Sequence, residues 1–192
     1  TMTNTVLLDN AQAGEVYFPG ANDNASGVAS ILEIAEAFAL NDKKPARSIL
    51  FVAFSAEEQG LNGARYFVDH LPVPREKIVA MINFDCVAHG DSIVIGGGRS
   101  FPELHRIAVE EDEAMKRMVI DRTWGGGGAD ATPFYELGIS TLYFATKNSY
   151  TWLHLPGDKP ETMNTCLHEY LTRVGYKTAL RLADGEYQPK ED

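Results

Sequence analysis

The sequence predicts an α/β sandwich in which a mostly parallel sheet packs between helices. Short, nearly continuous apolar runs, typical of strands buried on both faces, alternate with segments whose apolar residues follow the helical period. The 192 residues contain no internal repeat, low-complexity tract or linker, and their number fits one domain with a full-sized core. We therefore expect residues 1–192 to form a single domain.

In the first half of the chain, helical periodicity alternates with apolar runs. The apolar residues from Val28 to Ala39 follow the helical period, and Asn24 or Ser26 can cap this helix. A second helical segment covers residues 61–70. The remaining apolar runs are short and predict strands, and they cover residues 5–8, 48–54 and 78–84.

The second half of the chain continues this alternation. Residues 100–103 (Ser-Phe-Pro-Glu) form a capping-box pattern, which predicts a helix that ends near Lys116. Apolar positions between Leu167 and Leu182 predict a closing helix, and Gly185 follows its end. The strands predicted here cover residues 92–95, 118–120 and 141–145.

The composition excludes several classes of function. A net charge of −10 and a pI near 4.9 argue against binding to nucleic acid or to anionic membranes, where basic patches supply most of the affinity. The apolar stretches are too short to span a bilayer. Two cysteines, Cys86 and Cys166, are too few for a disulfide scaffold. These features fit a soluble enzyme and do not indicate an oligomeric state.

Polar residues follow several of the predicted strands. Glu57 and Glu58 come after the second strand, Asp85 after the third and His154 after the last, and Asp23 precedes the first helix. In open α/β sheets, binding sites form beyond the carboxyl ends of the strands. We therefore expect these side chains to converge at one edge of the sheet.

Taken singly, each of these residues has an ordinary interpretation. Asp23 suits a turn at a helix N-terminus, residues 55–58 can form a capping box, Asp85 can end a solvated strand and His154 can lie in a loop. Taken together, buried carboxylates would repel one another unless a cation compensates their charge. Imidazole with carboxylates suits zinc, with manganese or cobalt as alternatives, whereas magnesium or calcium would favour oxygen ligands alone.

Four segments carry a family resemblance: residues 19–27 (PGANDNASG), 54–60 (FSAEEQG), 83–85 (NFD) and 154–158 (HLPGD). They resemble the co-catalytic zinc exopeptidases, which include bacterial leucyl aminopeptidases, glutamate carboxypeptidases and glutaminyl cyclases. The resemblance covers nearly the whole chain, from about Val6 to the closing helix. It implies a mixed sheet between helices and an aminopeptidase that hydrolyses peptide substrates through a metal-activated water. Bacterial members of the family are often exported to the periplasm or secreted, which favours export, but the residues themselves do not indicate a compartment.

The resemblance also implies a role for each residue. Asp23 resembles the carboxylate that bridges two metals, and Glu57 resembles the general base. Glu58 and His154 resemble the ligands of one metal, and Asp85 a ligand of the other. In addition, Asp130 resembles a family aspartate near the site, and the four glycines before it either line a substrate pocket or form a flexible loop.

One expected ligand has no counterpart. The family usually has a His-x-Asp before the bridging aspartate. Either residues 7–9, Leu-Leu-Asp, correspond to it with Leu7 in place of the histidine, or the segment that carries it lies outside this sequence. The resemblance thus implies a chain that lacks the first strands of the family. His89 is the nearest candidate substitute, but a loop histidine is the default at its position. Cys86 could be a soft ligand, but a buried structural thiol is favoured.

The sequence therefore predicts an asymmetric centre. Asp23, Glu58 and His154 would complete one zinc site, whereas Asp23 and Asp85 alone would leave a second site weak or empty. Two other functions stay open: a non-catalytic or single-metal binding domain, and an acyltransferase similar to glutaminyl cyclases.

Overall fold

Three strands form a small mixed sheet in the computed structural model, which describes residues 17–189. The strands are β1 (Met81–Phe84), β2 (Ser92–Gly96) and β3 (Thr141–Lys147). Their order is β1-β3-β2, with β3 parallel to β1 and antiparallel to β2. The predicted α/β fold with a mixed sheet is confirmed.

Helices cover both faces of this sheet. They are α1 (Ser26–Leu40), α2 (Asn62–Asp69), α3 (Pro102–Glu113), α4 (Ala131–Glu136) and α5 (Thr165–Ala183). Helices α1, α3 and α5 pack on one face, and the shorter α2 and α4 pack together on the other. Within residues 17–189, no helix is long and apolar enough to cross a membrane.

The larger core lies between the sheet and helices α1, α3 and α5. Phe84 of β1 stacks on Phe144 of β3 with ring centroids 5.1 Å apart, and Leu142 and Val174 are fully buried beside them. Burial of each such side chain stabilises the fold by about 1.5–3 kcal/mol. This packing fixes the strands in register, and Asp85 then continues β1 by donating its backbone N–H to the Phe144 carbonyl. These contacts fix the position of the carboxyl end of β1.

Two predicted strands do not appear. Residues 48–54 form no strand with any other residue of 17–189, and the side chains of Leu50 and Phe51 are 63% and 37% exposed rather than buried. Residues 118–120 make a single bridge, from Val119 to Ile93, because the Asp112 carboxylate accepts the N–H groups of Met118 and Val119. The strand predicted at 5–8 lies outside the described residues.

The helix ends differ in detail from the sequence patterns. Asn24 does cap α1, since its Oδ1 accepts the Gly27 N–H at 2.9 Å. Before α3, the residue that precedes the helix is Phe101, which makes no side-chain cap, and Ser100 Oγ accepts the N–H of Gly126. Helix α4 was not predicted, since it has only six residues and begins shortly after the glycines at 125–128.

Candidate metal centre

The loop that carries Asp23 is tied to its surroundings by three polar side chains. Both carboxylate oxygens of the buried Asp158 accept backbone N–H groups, from Asn22 at 2.8 Å and from Asp23 at 3.0 Å. Asn24 donates to the Phe84 carbonyl at 2.8 Å, and Asn22 Oδ1 accepts the Ala88 N–H at the same distance. These bonds fix the Asp23 carboxylate at the carboxyl end of β1.

Glu57 and Glu58 lie on a single 3-10 turn, Glu57–Gln59, that follows the extended segment 48–54. Ala56, directly before the turn, has a left-handed backbone with φ of 56°. Helix α2 braces this turn closely: the Gly63 N–H donates to the Ser55 carbonyl at 3.0 Å, and a Cβ at Gly63 would lie only 2.4 Å from that oxygen. Glycine at this position therefore lets α2 hold the two glutamates in place.

His154 approaches from the loop after β3 and meets both acidic segments. Its Nε2 lies 2.7 Å from Glu58 Oε1 and 3.1 Å from Asp23 Oδ2. One ligand atom of each of these three residues lies within 4.8 Å of the other two. Zinc binds nitrogen and oxygen ligands at about 2.0–2.2 Å, so donors at this spacing can share one ion. The donor set and its geometry fit zinc.

A second group of donors adjoins the first. Asp23, Asp85 and Cys86 also each offer a ligand atom within 4.8 Å of the others, so Asp23 belongs to both groups. The Tyr143 hydroxyl donates to Asp85 Oδ2 at 2.5 Å and orients that carboxylate. Cys86 is only 2% exposed.

The crowded carboxyl groups disturb one another's ionisation. Burial, then the charges of Asp85 and Glu58, raise the pKa of Asp23 to about 8. Burial and the same two charges raise the pKa of Glu57 to about 7, and burial with Asp85 raises the pKa of Asp130 to about 6. In the described part of the chain, no lysine or arginine forms an ion pair with these groups. A divalent cation would relieve this repulsion.

The structure thus places the residues singled out from the sequence as follows. Asp23, Glu58 and His154 are in direct contact, Asp85 lies beside Asp23, and Glu57 interacts with the group through its charge. His89 belongs to neither group of donors. Its Nε2 contacts Thr162 Oγ1 at 2.9 Å instead. Residues 7–9, which were compared with the family's His-x-Asp, lie outside the described residues.

Two contributors were not recognised from the sequence. Asp158 stands inside the HLPGD segment, so its position in a motif was a usable signal. Tyr143 gave no signal, because a continuous apolar strand does not reveal which of its faces meets the site.

Known sequences resemble most of this chain. The sequence profile of Peptidase family M28 matches residues 8–176. Aminopeptidase YwaD of Bacillus subtilis (strain 168) is 32% identical over 160 aligned positions, which cover 76% of this chain and 34% of that protein. A probable glutamate carboxypeptidase of Arthroderma benhamiae is 28% identical over 199 positions, covering 83% of this chain and 26% of that protein.

Solved structures share the fold. BSAP, a zinc aminopeptidase from Bacillus subtilis, superposes with a TM-score of 0.76 at 25% identity, over 91% of this chain and 46% of that one. An aminopeptidase from Aneurinibacillus sp. strain AM-1 has the same TM-score at 24% identity, over 91% of this chain and 41% of that one. The chain spans less than half the length of each of these four proteins.

Proposed function

The chain belongs to peptidase family M28, and we propose from this that it is a zinc-dependent exopeptidase that releases residues from the amino end of peptides. The observation that carries the proposal is the direct contact of His154 Nε2 with Glu58 and Asp23. The similarity to a zinc aminopeptidase over 91% of the chain supports zinc as the metal and peptides as the substrate.

Three residues would hold the zinc that acts in hydrolysis: Asp23, Glu58 and His154. A catalytic zinc site has three protein ligands and one open position, and a zinc ion there lowers the pKa of water to about 7 and polarises a carbonyl. The His154 and Glu58 side chains are 40% and 26% exposed, so the group opens to solvent on one side. A peptide can approach the ligands from that side.

Glu57 is the proposed general base. In the metal-free protein, burial together with the charges of Asp85 and Glu58 raises the pKa of Glu57 to about 7. A bound cation would compensate those charges, so Glu57 would be ionised and able to accept a proton. Because Glu57 and Glu58 are neighbours on a tight turn, their side chains diverge, and one can hold metal while the other faces the water. Glu57 accepts a proton from the attacking water and then donates it to the leaving amine.

The test is hydrolysis of aminoacyl chromogenic substrates by the zinc-loaded protein, with and without a chelator. We expect Glu57→Gln to lower kcat about 10²–10⁴-fold while bound zinc, measured by elemental analysis, is retained. Glu33→Gln, on the exposed face of α1, is the matched control and should keep full activity. Hydrolysis that survives both chelation and Glu57→Gln would contradict the proposal.

The same assay separates the other functions. Peptides that begin with glutamine would be cyclised with release of ammonia by an acyltransferase, whereas an exopeptidase would release free glutamine. Zinc binding without turnover of any of these peptides would instead identify a binding domain and would exclude the proposed activity.

A further inference from the structure

The second group of donors contains a thiol that the proposed mechanism does not use. Cys86 is buried beside the carboxylates of Asp23 and Asp85, and one ligand atom from each lies within 4.8 Å of the other two. A buried free cysteine usually serves as a small apolar residue among apolar neighbours. Here its neighbours include two carboxylates, and its thiol forms a hydrogen bond with Asp85.

The backbone brings two consecutive side chains to the same place. In a regular strand, neighbouring side chains point to opposite faces, so Asp85 and Cys86 would diverge if β1 continued beyond Phe84. Cys86 instead has a left-handed backbone with φ of 53°, and its N–H is 3.3 Å from Asn24 Oδ1. This turn directs both side chains towards Asp23.

An unsatisfied oxygen nearby is a separate observation. Asp130 Oδ1 is buried and has no hydrogen-bond partner among the described residues, and the charge of Asp85 acts on this carboxyl. Asp130 as a whole is half-buried, and a cation at the neighbouring group of donors would compensate the charge of its carboxylate. The surroundings of Asp85 therefore favour positive charge.

We propose that Cys86 is a zinc ligand, and that its thiolate joins the carboxylates of Asp23 and Asp85 to hold a second zinc beside the first. Zinc accepts sulfur and oxygen ligands together, and three protein ligands are enough for a stable site. Among the residues that the structure describes, the thiol adds a third ligand to the two carboxylates. The inference rests on the proposed function only in taking zinc as the metal.

Binding at this group would change the protonation of Cys86. A free thiol is protonated at neutral pH, whereas zinc binds the thiolate. Coordination forms the zinc–sulfur bond and breaks the S–H bond, and the proton passes to water. Binding of the second metal therefore releases one proton from Cys86, in addition to any that the carboxyl groups release.

Cobalt titration tests the thiol directly. Cys166 is exposed, so Cys166→Ser leaves Cys86 as the remaining thiol and serves as the reference protein. When cobalt is added to the metal-free reference protein, we expect two ions to bind, the second with near-ultraviolet absorption from thiolate-to-cobalt charge transfer. In Cys86→Ser/Cys166→Ser, this absorption should vanish and the affinity for the second ion should fall by at least about tenfold.

The outcomes separate the two proposals. One cobalt ion with no charge-transfer absorption in the reference protein would overturn the role of Cys86, whatever the variant does. That comparison needs only the reference protein, so it stands even if Cys86→Ser does not fold. A cobalt–thiolate absorption in a protein without hydrolytic activity would support Cys86 as a ligand and contradict the exopeptidase proposal alone.

Discussion

Asp158 holds the metal-binding loop although it is not itself a proposed ligand. Its two oxygens fix the backbone at Asn22 and Asp23, so Asp158→Asn would replace one acceptor with a donor that faces an N–H group. We expect zinc affinity to fall about 10–100-fold, as it does when residues that position metal ligands are changed. Competition with a chromogenic chelator measures this affinity.

A surface aspartate provides the matched control for Asp158. Asp184 pairs with Lys43 at 2.6 Å, and the lysine side chain is 73% exposed, so Asp184→Asn should leave zinc affinity unchanged. Equal zinc affinities for the two variants would show that Asp158 does not position the loop.

At the residue scale, the sequence predicted the residues that form the metal centre better than the contacts that hold them in position. Asp23, Glu58 and His154 could be named because they occupy recognisable segments at the ends of strands. The bond from Tyr143 to Asp85 joins two strands, and the conformation of Cys86 depends on a single backbone angle. Neither follows from residue spacing, because both depend on how distant segments pack.

Helix α2 and the turn that carries Glu57 act as one element. A Cβ at Gly63 would lie 2.4 Å from the Ser55 carbonyl oxygen, so Gly63→Ala must push the helix and the turn apart. We expect this variant to lose about 1–3 kcal/mol of unfolding free energy and also to bind zinc more weakly. Urea denaturation measures the first effect, and chelator competition measures the second.

A glycine after β2 provides the control for Gly63. At Gly98, a Cβ would lie 2.7 Å from the His105 ring, and the neighbouring Gly97 lies against the start of β3, at the opposite edge of the sheet from Asp85. Gly98→Ala should therefore lose stability while keeping its zinc affinity. If both variants lost zinc affinity equally, general destabilisation would explain the result and the link between α2 and the turn would be refuted.

At the element scale, elements with their own internal bonds were predicted well. Helices α1, α2, α3 and α5 appear close to their predicted bounds, because helical hydrogen bonds are local to each segment. A strand needs a partner, and the apolar run at 48–54 has none within residues 17–189. Helix α4 has only six residues, so its periodicity was too brief to recognise.

Across the whole molecule, the raised pKa values predict how stability depends on pH. The pKa of Asp23 rises from 3.8 to about 8 and that of Glu57 from 4.5 to about 7, so the folded metal-free protein binds these protons more tightly than the unfolded chain. This contribution is fully present below about pH 4 and is lost as the pH rises to about 8. We expect urea midpoints of the metal-free protein to fall between pH 5 and pH 8.

Zinc and one substitution provide the controls for this pH dependence. Saturating zinc should flatten it, because the bound cation compensates the ionised carboxylates. Asp23→Asn should reduce it even without metal. If the metal-free stability rose over this range, the repulsion within the centre would not be the dominant effect.

At the scale of the molecule, the family could be predicted from four short segments, and the profile match over residues 8–176 confirms it. Motifs identify a family because they preserve chemical groups at fixed places in a fold. The number of bound zinc ions did not follow from them, and we propose that it depends on Cys86, which lies outside those motifs beside the carboxylates.

The extended apolar segment 48–54 affects the tendency of the protein to self-associate. Its sequence, Ser-Ile-Leu-Phe-Val-Ala-Phe, lacks charge and proline and has high β-propensity, which is the composition of segments that assemble into cross-β fibrils. Leu50 and Phe51 are accessible, while a net charge of −10 keeps neighbouring copies apart. Whether copies of this chain stay dispersed therefore depends on the balance between attraction through the apolar segment 48–54 and electrostatic repulsion. Added salt screens the repulsion and favours self-association.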